Sequence, residues 1–148
     1  MSITTIKQLL TSNATWSTMA LRVPVGIMFV AHGAQKLFGS FGGYGLEGTG
    51  AWMASIGLEP GYLMALMAGS AEFFGGLALI LGLLVRPTSF VLAITMLVAI
   101  FTVHFENGLF MANNGYEFGL ALFAASVSLM ISGAGKLSVD NVIKQRLA

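Results

Sequence analysis

Residues 62–85 read YLMALMAGSAEFFGGLALILGLLV. One carboxylate, Glu72, stands in an otherwise apolar run bracketed by Pro60-Gly61 before it and Arg86-Pro87 after it. About 20 such residues are enough for an α-helix to cross the hydrocarbon core of a bilayer. The rest of the chain agrees with that solvent. Of 148 residues, 56% are hydrophobic and 9% charged, against about 25% charged in ordinary soluble domains. So little charge cannot wet the surface of a soluble fold, whereas lipid accepts an apolar exterior.

Working outward, three further segments have a span's character. Residues 87–104 begin with a proline in the first turn, where its missing N–H costs least. Residues 116–132 are short for a crossing, and residues 16–38 carry Arg22, Pro24, His32 and Lys36 around the apolar stretch VPVGIMFVA. The expected fold is an all-α membrane protein, a four-transmembrane-helix bundle forming a single membrane domain over 1–148. No internal repeat is visible. Residues 39–59 form a glycine-rich outer loop, in which Thr49 to Ile56 reads equally well as a short interfacial or re-entrant helix with Trp52 and Met53 facing lipid, or as plain loop.

Lysine and arginine set orientation. Lys7, Arg22, Arg86, Lys136, Lys144 and Arg146 cluster at one end of such a bundle, and Lys36 alone lies at the other. Both termini are therefore expected on the cytoplasmic side. The leading MSITTIKQLLTSNATW has no signal-like apolar core and reads as an uncleaved lead-in. A net charge of +1 without a basic run argues against nucleic acid, and the absence of cysteine excludes disulfides, thiolate nucleophiles and Cys-ligated metal.

The ionisable residues then fall in order of depth. Lys36, His104 and Glu117 belong near the outer surface, His32 one turn deeper, and Glu72 near mid-bilayer, where a carboxylate costs about 2.5–3.5 kcal/mol on insertion scales. Glu72 must be protonated, paired or wetted. Two readings stand side by side: a proton-relay pocket open to the outside, with His32 and Glu72 as the proposed catalytic pair and Lys36, His104 and Glu117 as ligand-binding groups, or an interhelical pair that fixes the bundle. Lys36 reads equally as a snorkelling cation. Arg22 and Arg86 are read as structural or anchoring residues, Arg22 in the cytoplasmic headgroups. Two histidines on different helices lack metal-site spacing, so no metal is assigned.

Three stretches carry a family resemblance. RVPVGIMFVAHGAQKLFG (22–39), AEFFGGLALILGLLVRP (71–87) and GAGKLSVDN (133–141) together resemble the pattern of the DoxX family of bacterial membrane proteins. Arg22, His32, Lys36, Glu72 and Arg86 match its polar positions. The resemblance implies a four-helix bundle in the bacterial inner membrane and an association with quinone-linked redox chemistry and oxidative stress, relatives including a subunit of a thiosulfate:quinone oxidoreductase. The missing cysteine and the missing dinucleotide fingerprint separate this chain from thiol exchange and from nicotinamide binding. Three functions follow as expectations: an oxidoreductase subunit that binds a quinone or quinone-like molecule and draws electrons from a redox partner subunit, a non-catalytic subunit that recruits or stabilises a partner complex, and a small proton-coupled carrier completed by homo-oligomerisation. No intrinsic cofactor is expected.

Overall fold

The computed structural model describes residues 15–147 together with Thr4, Thr5 and Gln8. The lead-in reading of the N-terminus and the Lys7 part of the orientation argument lie outside the described residues. The described chain is all-helical: α1 (Trp16–Phe38), α2 (Gly45–Ser55), α3 (Gly61–Leu81), α4 (Val85–Ala99), α5 (Glu117–Ser132) and α6 (Val139–Arg146). α4 runs on through a π-helical turn, Ile100–His104, and a 3-10 turn, Phe105–Asn107.

α3 and the continuous Val85–Asn107 helix are each long and apolar enough to cross a membrane. α5 is apolar but shorter, and α1 has the length, 23 residues, with a mixed surface. The core is the seam between these four: Val25 and Phe29 of α1, Leu79 of α3, Val85, Leu92 and Met96 of α4, and Leu122 and Leu129 of α5. Large apolar side chains point outward in numbers a soluble fold does not tolerate. Ile27, Phe74, Phe90, Phe101 and Ile131 are all more than half exposed.

α1 and α3 make the most extensive pairing, and they run antiparallel. Glycine makes this possible. A methyl on Gly26 would stand 2.7 Å from the Gly76 carbonyl oxygen, and one on Gly76 would stand 2.6 Å from that of Gly26. Gly33 lies against the Phe73 backbone, and Gly69 against Leu37. Small residues at such crossings let backbones approach and trade hydrophobic drive, absent in lipid, for van der Waals contact. The register that results sets position 36 beside position 72.

Several expected boundaries shift for visible reasons. α3 stops at Leu81 rather than Val85, because Gly82 adopts a left-handed conformation (φ 68°) and caps it. α4 starts at Val85, two residues before Pro87. Residues 39–59 are not plain loop. α2 packs on α3, with Thr49, Gly50 and Met53 buried, and its Gly50 touches Gly61. Met53, expected against lipid, is 7% exposed, since the Gly50–Gly61 approach turns that face inward; Trp52 on the next position is exposed.

Candidate functional site

Lys36, in the last turn of α1, meets Glu72 from the middle of α3. Lys36 Nζ donates to Glu72 Oε2 at 2.6 Å, with Glu72 4% exposed and Lys36 25%. The buried carboxylate is thus compensated by a cation on the facing helix, one of the routes open to an acid at that depth.

The pair forms part of the wall of a cavity of about 890 Å³ between α1, α2, α3 and α4. Its remaining walls are largely apolar: Trp52 and Met53 of α2, Met64 and Met67 of α3, and Phe90, Ile94 and Val98 of α4. Met67, Phe90, Ile94 and Val98 are also outward-facing residues of the bundle. The cavity therefore opens sideways along the α3–α4 face as well as toward the Lys36 end. Thr95 and Thr102 line it too, but their hydroxyls donate to the carbonyls one turn back, at Val91 and Val98.

His104 belongs to this cavity, as does Asn114. Its Nδ1 lies 2.9 Å from the Asn114 carbonyl oxygen. Glu117 does not line the cavity. It is exposed, and its Oε1 accepts from the Met111 amide at 2.6 Å, which pins the 108–116 loop against the start of α5. The same loop carries Asn114, which lines the cavity. His32 is likewise outside the cavity wall. Its ring tilts at 52° against Phe118 of α5, centroids 5.6 Å apart, while remaining within electrostatic reach of Lys36 and Glu72. Glu72 takes Lys36 as its ion-pair partner, and His32, one turn back on α1, packs on Phe118 of α5.

Arg22 occupies a different place from the lipid headgroups. It is 1% exposed. Its guanidinium donates to five carbonyls: Leu79 and Ile80 at the C-terminus of α3, and Ala134, Lys136 and Leu137 in the turn before α6. Helix ends present such orphan acceptors, and Arg supplies five N–H donors in one plane. Arg86 is half-buried and reaches the Met130 carbonyl at 3.4 Å. Beside Arg22 lies a residue sequence reasoning left in a motif without a role. Asp140, 1% exposed, accepts the amides of Leu84 at 2.6 Å and Val85 at 3.1 Å, holding Leu84 in a left-handed conformation (φ 47°). Burial pushes the Asp140 carboxyl above its ordinary value, while the two amides and Arg22 pull it down. Ser138 N-caps α6 by accepting from the Asn141 amide. The signal available was Ser138 with Asp140 in the first turn after it, an N-terminal capping pattern.

The chain is similar to known proteins. The DoxX family model matches residues 17–105, which include Arg22, His32, Lys36, Glu72, Arg86 and His104. A Bacillus subtilis protein named "Putative oxidoreductase CatD" is 36% identical over 83% of this chain and 84% of its own length. An Escherichia coli protein named "Inner membrane protein YqjF" is 31% identical over 86% of this chain and 92% of its own. No solved structure matches the chain. About three fifths of the sequence, including both partners of the buried ion pair, falls within the family match, and the chain belongs to the DoxX family.

Proposed function

We propose that this chain is a four-span protein of the bacterial inner membrane with both termini cytoplasmic, and that its cavity binds a quinone or small quinone-like molecule as one subunit of a redox system. Four observations support the membrane reading. α1, α3, α4 with its extension, and α5 pack side by side; their outer faces are apolar; Lys136, Lys144 and Arg146 gather at the end opposite Lys36; and a relative is named an inner membrane protein. α5, at 16 residues, crosses with local thinning or with help from its flanks.

The observation that carries the ligand reading is the Lys36–Glu72 pair set in the wall of an apolar cavity that opens to the lipid-facing surface. A hydrophobic molecule dissolved in the bilayer enters such a cavity without crossing water. Lys36 has three N–H donors and spends one on Glu72. The others are free to bind a ring oxygen, and Glu72 holds the ammonium in place. His32 does not line the cavity, so it does not touch the ligand in this reading. In this reading electrons are exchanged with a redox partner protein. The name of the Bacillus subtilis relative is consistent with redox chemistry.

The test is binding of a short-tailed quinone analogue to the purified protein in lipid nanodiscs. Lys36→Met is expected to weaken binding by about 10- to 100-fold, the worth of one charge-assisted hydrogen bond, with Glu72→Gln intermediate and His32→Ala close to wild type. No binding by the wild type, or equal binding by wild type and Lys36→Met, rejects the proposal.

A further inference from the structure

The outer end of α4 departs from α-helical geometry where His104 sits. Residues Ile100–His104 form a π-helical turn, which widens the helix and re-aims the side chains that follow. The chain then makes a 3-10 turn and returns through a loop to Asn114, a non-glycine residue in left-handed conformation (φ 60°). The Asn114 carbonyl oxygen receives two side chains, His104 Nδ1 at 2.9 Å and Asn107 Nδ2 at 3.3 Å. A carbonyl oxygen only accepts, so Nδ1 donates to it, which assigns the Nδ1–H tautomer. Nε2 is then a lone-pair acceptor, with no partner among the described residues.

His104 shares its cavity with Lys36, whose ammonium only donates. The wall therefore offers one cationic donor from α1 and one basic acceptor from the end of α4. Glu72, the other strong acceptor in the wall, has its Oε2 engaged by Lys36. An oxidised quinone, whose ring oxygens only accept, meets a lone pair at His104. A ring that carries a hydroxyl meets a partner.

We propose that His104 is the specificity-determining residue of the cavity, and that through Nε2 it selects the hydroxyl-bearing, hydroquinone-type form of the ligand over the quinone form. This rests on the reading of the cavity as a quinone-type site. Glu117 and the π turn are its positioning devices: one pins the loop that presents the Asn114 carbonyl, the other turns the ring toward it. Discrimination is of the kind seen where a site built to accept a hydroxyl proton rejects the analogue lacking it.

The experiment measures anaerobic binding of a short-tailed quinone and of its hydroquinone to the full chain in nanodiscs, for wild type, His104→Leu and His104→Gln. Wild type is expected to favour the hydroquinone by about tenfold. His104→Leu should lose that preference by weakening hydroquinone binding alone, and His104→Gln, whose carbonyl oxygen still accepts, should regain part of it. Both ligands binding with a ratio unchanged by His104→Leu, or a wild-type preference for the quinone, overturns the role of His104 and leaves the cavity reading standing. Neither ligand binding to wild type overturns both. Should His104→Leu fail to fold, the wild-type ratio and His104→Gln decide alone.

Discussion

Gly26 and Gly76 face each other across α1 and α3 so closely that a methyl on either would fall within 2.7 Å of the other's carbonyl oxygen. That crossing sets the antiparallel register in which Lys36 reaches Glu72 at 2.6 Å. Gly76→Ala should therefore force the helices apart and cost about 1–3 kcal/mol, the range for overpacking a filled interface. It should also weaken ligand binding, although position 76 does not line the cavity. Thermal unfolding in detergent and binding titration check the two effects separately.

The Lys36–Glu72 pair should show strong coupling. Lys36→Met leaves a carboxylate that is 4% exposed without its cation, and breaking a buried pair from one side costs about 3–5 kcal/mol. The quarter-exposed Lys36 places the expected loss at the lower end. Lys36→Met/Glu72→Leu should recover most of it, since both charges are then gone. A double-mutant cycle from unfolding midpoints measures this, and additive losses would contradict a direct pair.

Asp140 should contribute a pH dependence opposite to that of a salt-bridged carboxylate. Its folded-state pKa is raised, chiefly by burial, above the ordinary value of 3.8. In the window just above that value the folded state holds more protons than the unfolded one, so stability falls as pH rises. Asp140→Asn removes this slope, and the difference between the two stability–pH curves isolates it from the other carboxylates. The substitution has its own cost at every pH, about 1–3 kcal/mol, because Asn offers one oxygen where the Leu84 and Val85 amides use two.

Arg22 should not tolerate lysine. A single ammonium cannot reach the carbonyls of Leu79, Ile80, Ala134, Lys136 and Leu137 that the guanidinium serves together. Arg22→Lys is expected to lower the unfolding temperature markedly and to speed amide exchange in α6 first, as that helix is tied to the bundle through this knot. Exchange confined to the α1–α3 seam would contradict the assignment.

Glu117 tests the loop. Glu117→Ala should release the Met111 amide and raise its hydrogen exchange with a small loss of global stability, about 1 kcal/mol for one hydrogen bond. Glu117→Gln keeps an acceptor oxygen and should restore protection.

Composition pointed to lipid as the solvent, because 9% charge cannot cover a water-facing surface, and apolar runs bounded by proline and glycine marked the long helices to within a few residues. The same reading singled out Lys36 and Glu72, since a charge at membrane depth is costly wherever it occurs. It could not decide who meets whom. Periodicity puts His32 and Lys36 on adjoining parts of one helix face, and only the glycine crossing, a relation between two helices far apart in sequence, gives Glu72 to Lys36 and turns His32 toward Phe118. Arg22 looked like a membrane anchor because its partners are backbone carbonyls, which leave no trace in side-chain identity. The same holds for His104: its residue type was plain from the sequence, but the acceptor it offers depends on a carbonyl ten residues on, brought back by a π turn and a loop that only the folded chain forms.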